Sequence, residues 1–173
     1  MAKIKQKITT FLWFEKNCEE AVNYYVDTFN GSPYKSKNSK INFIQRYEKG
    51  IETPGADEME GKILTTEFEL EGQKFQALDG GPYFKFNESI SLLVDCKDQK
   101  DVDYFWDKLS AVPESEQCGW CKDKFGLSWQ IIPRRLGELL SDPNKDKSHK
   151  VANTMLKMHK IVVADLEKAY DNG

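Results

Sequence analysis

The chain has 173 residues, a net charge of −3, 39 % hydrophobic and 12 % aromatic residues. That is enough chain to bury a core without disulfides or metal, and with no basic stripe it gives no reason to expect nucleic acid. No run of about 18 uncharged apolar residues occurs, and "MAKIKQKITTFLWF" at the start lacks an apolar stretch of signal-peptide length, so no membrane partner and a cytoplasmic location are expected.

The first element is "ITTFLWF" (Ile8 to Phe14), rich in β-formers and too short for a helix. "NCEEAVNYYVDTFNG" follows, with Asn17 as expected N-cap, Glu20 three residues on, apolar Val22, Tyr25, Val26 and Phe29, then Gly31: an amphipathic helix marked at both ends. "KINFIQRYEKG" reads as a strand with Ile41, Phe43 and Gln45 on one face, and the acidic "GIETPGADEMEG" as a loop. "ILTTEFELEGQKFQALDGG" reads as a hairpin turning at Glu71-Gly72, with Phe68 and Leu70 alternating against Thr65, Glu67 and Glu69.

After "GGPYFKFNE" the pattern restarts. A shift of 80 residues lays "SISLLVDCKDQKDVDYFWDKL" over "TTFLWFEKNCEEAVNYYVDTF", so that Val22, Tyr25, Val26 and Phe29 fall on Val102, Phe105, Trp106 and Leu109. The closing strands "GQKFQALD" and "GLSWQIIP" also align, Gly over Gly, Phe75 under Trp129 and Gln76 under Gln130. Each half thus runs strand, helix, short strands, which reads as an internal duplication, the rival being an unrelated α+β sheet. Module one is placed at 4–80, module two at 88–133, and a hinge with a helical tail at 134–173 of one domain. In the tail, Val151, Met155, Met158 and Val162 recur at helical spacing, and Leu166, Ala169 and Tyr170 extend the face. Such a face needs a cover, from the sheet domain or a second subunit.

The stretches "FLWF", "CEEAVNYYVDTFNGS", "LDGGPYFKFNESISLLVDC", "QCGWCKDKFGLSWQIIP" and "MLKMHKI" resemble the PhnB-like branch of the vicinal-oxygen-chelate superfamily, which includes glyoxalase I, bleomycin-resistance proteins and extradiol dioxygenases. That branch is often labelled 3-demethylubiquinone-9 3-methyltransferase, and the resemblance runs from Ile4 to Tyr170. It implies an α+β fold, with paired βαβββ modules forming a cupped, mainly antiparallel sheet and a C-terminal helical extension. It also implies a homodimer, with exchanged C-terminal helices as one arrangement.

Alternation assigns faces. With Leu12 and Phe14 on the helix side, Thr9, Phe11 and Trp13 turn to the other face; the offset of 80 adds Ser89, Ser91 and Leu93, and the strand alignment adds Ser128, Gln130, Lys74 and Gln76. Metal-using relatives place His, Glu or Gln on the first and last strands of each module, and the matching positions are Thr9, Gln76, Ser89 and Gln130. Thr65 stands where relatives in the branch often have histidine, and both histidines, His149 and His159, lie in the tail. Neutral amide and hydroxyl oxygens are poor ligands for divalent first-row metals, so no metal and no cofactor are expected.

Gln76 and Gln130 either satisfy groups inside the sheet or contact a ligand. Phe11, Trp13 and Trp120 either stack on a planar or apolar small molecule or are plain core. The expected ligand-binding set is therefore Thr9, Phe11, Trp13, Thr65, Gln76, Ser89, Trp120 and Gln130, with Glu67 a general-base candidate if burial raises its pKa. The first function class is a metal-free binding protein that sequesters or senses an aromatic or amphipathic compound. The alternative is a metal-dependent lyase, isomerase or dioxygenase-like enzyme.

Four cysteines, at 18, 96, 118 and 121, read as reduced thiols. "CGWC" has the spacing of a redox pair but is followed by a turn and a strand, not by the helix that would activate a thiol. Cys18 opens a helix, yet Glu19 and Glu20 beside it oppose a thiolate. No glycine-rich strand-to-helix loop suited to S-adenosylmethionine is present, so the methyltransferase label finds no support in the residues.

Overall fold

A computed structural model describes residues 6–34, 38–52 and 56–172. The chain divides into two compact units, residues 1–31 with 35–85, and residues 32–34 with 86–173. The fold is α+β.

In the first unit, β1 (Thr10–Phe14), α1 (Cys18–Asn30), β2 (Lys40–Arg46), α2 (Ala56–Met59), β3 (Ile63–Leu70) and β4 (Gln73–Asp79) follow in order. The sheet order is β1-β4-β3-β2, parallel between β1 and β4 and antiparallel elsewhere. Its helix-side face is buried. Leu12, Phe14, Ile63, Phe68, Phe75 and Ala77 are all buried, Phe68 stacks on Phe75 at 5.3 Å, and Val22, Tyr25 and Phe29 of α1 are buried with them. Glu71 and Gly72, at φ 49° and 80°, make the two-residue hairpin turn with both residues left-handed, the geometry that matches strand twist.

Three expectations for this unit need correction. Asn17 makes no side-chain cap; the cap comes from Asp79, 1 % exposed at the end of β4, whose Oδ1 accepts from the Cys18 backbone N–H at 2.8 Å. A register shift between Ile41 and Phe43 puts Ile41 opposite buried Phe68 and Phe43 opposite Glu67, so these residues do not share a face. The acidic loop contains the short helix α2, while its residues 53–55 lie outside the described residues.

The second unit runs β5 (Leu92–Cys96), α3 (Gln99–Leu109), a 3₁₀ turn (Pro113–Ser115), β6 (Trp120–Lys122), β7 (Ser128–Pro133), α4 (Arg134–Leu140), α5 (Lys145–Met155) and α6 (Val163–Asp171). Its sheet has three strands, β5-β7-β6, parallel then antiparallel. Where the first module has β2, this one has the 3₁₀ turn and an isolated bridge between Gln117 and Trp120. Val102, Phe105 and Leu109 of α3 are buried with Val94, Trp129 and Ile131. The Trp129 indole donates to Asp123 Oδ2 at 2.8 Å, and Asp123 also accepts from the backbone of Phe125 and Leu127.

The hinge expected after Pro133 is instead the helix α4, and the single tail helix is two, broken between Leu156 and Val162. The reason is packing. Leu136 and Leu139 of α4 join Val151, Ile161 and Leu166 in a buried cluster, with Met155, Met158 and Tyr170 at its edge, so the apolar face is covered inside its own unit. The tail is also stitched to the turn before β6, with Cys118 N–H donating to Met158 O at 2.8 Å and Gly119 N–H to His159 O at 2.7 Å. Gly119 has φ 87°, and a Cβ there would stand 2.8 Å from Ile132 Cδ1 and 3.1 Å from Ile161 Cγ1, so this close approach requires glycine. No helix of the described residues is long and apolar enough to cross a membrane.

Candidate functional site

The two aligned glutamines occupy the same place in their units. Phe75 and Trp129 are buried on the helix side, which turns Gln76 and Gln130 to the opposite face. Gln76 lies in register between Phe11 and Glu67, and Gln130 between Leu93 and Trp120.

In the first unit this face carries Phe11, Trp13, Thr65 and Gln76 as expected from alternation. Phe11 and Phe43 are each 49 % exposed. The Trp13 indole donates to Gly81 O at 3.0 Å and meets Phe84 edge-on at 4.9 Å. Thr9 lies one residue before β1, its Oγ1 3.5 Å from Gln6 Nε2. Glu67 does not have the environment a general base needs. Its Oε1 accepts from Lys74 Nζ at 2.9 Å and Asn42 Nδ2 at 3.0 Å, and these bonds, Lys74 first, hold its carboxyl below the ordinary range rather than above it.

In the second unit the shift of 80 holds for the helices but not for the strands. Phe11 pairs with Gln76, and Leu93, 82 residues beyond Phe11, pairs with Gln130. The counterpart of Thr9 is therefore Ser91, not Ser89. Ser89 is exposed before β5 and bonds Asn87, while Ser91 Oγ accepts from Gln130 Nε2 at 2.8 Å.

Around Gln130 lies a cleft of about 660 Å³. Leu93, Trp120, Gln130 and Ile132 contribute from the sheet. Leu136 of α4, with Met155 and Leu156 at the end of α5, contributes from the tail. Gln117 and Cys118 complete it, and Gln117 Nε2 donates to Leu156 O at 2.9 Å, tying one side to the other. Of the expected ligand-binding residues, Trp120 and Gln130 meet here. Leu136, Met155 and Leu156 were not expected, although Leu136, Leu139 and Leu140 at helical spacing were the signal for the helix that brings Leu136 in.

Of the four thiols, Cys118 lines the cleft and the other three are buried. Cys121 is 1 % exposed on the helix side, and burial, with Asp123 second, pushes its thiol up to about 12. Cys118 is half-buried with φ 52°, so the two do not share an environment suited to a redox pair. Burial also raises the Cys18 thiol, with Asp79 and Glu19 adding to the effect, against the helix-terminus argument for a thiolate. Among the described residues no group of three His, Cys, Asp or Glu converges, and His149 and His159 are exposed.

Two α+β modules, each closing on a glycine, an aromatic and a glutamine, with strand-to-helix links at residues 15–17 and 97–98, define a protein of the glyoxalase-like fold class. The chain belongs to the family described as 3-demethylubiquinone-9 3-methyltransferase, which matches residues 6–132. It is similar to a protein from Bacillus cereus described as a putative 3-demethylubiquinone-9 3-methyltransferase, PhnB protein, at 34 % identity and a TM-score of 0.58, over 74 % of this chain and 99 % of that one. Protein PA1353 from Pseudomonas aeruginosa shares the fold at 16 % identity and a TM-score of 0.55, over 75 % and 98 % of the two chains. No curated protein matches. The family's description names a methyl transfer, yet the links that open α1 and α3, Glu15-Lys16-Asn17 and Lys97-Asp98, contain no glycine. Neither is a loop of the kind that cradles S-adenosylmethionine in a doubly wound methyltransferase.

Proposed function

We propose that this protein is a small-molecule binding protein of the PhnB-like family, taking an aromatic or amphipathic compound in the cleft around Gln130. The observation that carries this reading is the cleft itself, where an indole and an amide sit among aliphatic side chains in a volume of about 660 Å³, within the range of sites for drug-sized ligands. The amide orients and the apolar walls supply the affinity.

A fluorescence titration with N-phenyl-1-naphthylamine tests it. Saturable binding to one site per chain is expected, weakened about tenfold or more in Trp120→Ala and in Gln130→Leu, since a lost stacking partner or buried polar contact is worth about 1.4 kcal/mol or more. Absence of saturable binding, or binding that both variants leave unchanged, overturns the reading.

A further inference from the structure

The residues matched by the family end at 132, and the cleft does not. Leu136, Met155 and Leu156, which form its second wall, belong to the helices beyond that point. From this, and resting on the binding reading above, we infer that the tail selects the ligand, admitting an uncharged, largely apolar molecule that carries a hydrogen-bonding group and rejecting charged ones.

The chemistry of the lining sets the class. None of the lining side chains is charged: leucines, an isoleucine and a methionine face Trp120, with Gln117, Gln130 and Cys118 as the polar members. A charged ligand would give up water there and meet no counter-ion, whereas a neutral one gains from every apolar contact. Hydrogen-bonding groups are left for it among the described lining residues. Gln130 donates one of its two amide N–H groups to Ser91, its Oε1 and the Oε1 of Gln117 accept nothing, and the Trp120 indole N–H donates to nothing. A ligand hydroxyl or amine complements the amide oxygens, a carbonyl or ether the indole N–H.

The tail is built to hold this wall in place. Leu136 is anchored in the cluster with Leu139, Val151, Ile161 and Leu166, and the end of α5 is tied down through Gln117 to Leu156 and Cys118 to Met158. Met155, unbranched and adaptable, gives the wall tolerance of shape without polarity. Leu156 is 57 % exposed, so its side chain can be changed without opening the core.

The test uses two dyes on one aromatic frame, neutral N-phenyl-1-naphthylamine and its sulfonated relative 8-anilino-1-naphthalenesulfonate, titrated into the full chain and into Leu156→Lys. The wild-type protein should bind the neutral dye about tenfold or more tightly, and a lysine at the half-exposed wall should cut that preference about threefold by supplying a solvent-screened counter-ion. The thermal midpoint of the variant should stay near wild type. Equal or stronger binding of the sulfonate by wild type overturns the selectivity. A preference unchanged in Leu156→Lys, while Trp120→Ala still weakens dye binding about tenfold or more, overturns the role of the tail and leaves the binding site standing. Loss of any Trp120-dependent binding removes both.

Discussion

The Gln130 amide donates to Ser91 Oγ at 2.8 Å, joining the last strand of the second sheet to the residue that enters its first. Ser91, not Ser89, is thus the serine that counts in this module. Ser91→Ala strands a half-buried amide donor and should lower stability by about 0.5–1.5 kcal/mol in urea unfolding. Exposed Ser89→Ala should stay within about 0.5 kcal/mol of wild type. Equal effects would contradict the two-residue offset between strands and helices.

The cap of α1 comes from Asp79. Its Oδ1 takes the Cys18 N–H at 2.8 Å and its Oδ2 the Ile63 N–H at 3.0 Å, fixing helix, β3 and β4 through one carboxylate. Asp79→Ala leaves two buried donors unpaired and should cost about 2 kcal/mol or more, while Asn17→Ala should cost under about 0.5 kcal/mol. A larger loss at Asn17 would return the cap to the position that the capping-box pattern favours.

Thiol reactivity should be confined to one position. Cys18, Cys96 and Cys121 are buried, each with its thiol pushed up first by burial, and Cys118 alone of the four is partly open. Ellman's reagent at neutral pH should titrate one thiol in the native chain and four after unfolding. Two fast native thiols, or a disulfide between Cys118 and Cys121 on a peptide map after mild oxidation, would overturn that assignment.

Glu67 and Lys74 give a pH dependence with a definite sign. The folded carboxyl titrates below its ordinary 4.5, so the pair stabilises the fold above that pH and the contribution is lost as pH falls through the lowered folded value. The stability advantage of wild type over Glu67→Gln should be constant from about pH 6 to 8 and fade on acidification below about 4.5. An advantage that grows as the pH falls would show that Glu67 is not held in its charged form.

The elements that were legible in the sequence are those set by local period. Val22, Tyr25 and Phe29 and their counterparts Val102, Phe105 and Leu109 mark their helices, and both sets are buried. Strand faces followed wherever alternation was unbroken, as at Leu12 and Phe14. What escaped was set by distant partners. Asp79 caps a helix that begins 61 residues before it, the bulge at Asn42 changes the face of Ile41, and the second module lacks a strand because its chain turns at Pro113–Ser115 instead. The cleft was half legible. Gln130 and Trp120 announce themselves by alternation on strands, but the wall opposite them depends on how α4 and α5 return to the sheet, a matter of tertiary packing.

The seam between Cys118–Gly119 and Met158–His159 has a dynamic consequence. Both amide protons are held by acceptors in the tail rather than by the neighbouring strand. Their exchange with solvent deuterium is therefore a clock for the lifting of the tail, ticking independently of the slower global unfolding that governs the amides of β7. Those two signals make the closure of the cleft visible one backbone proton at a time.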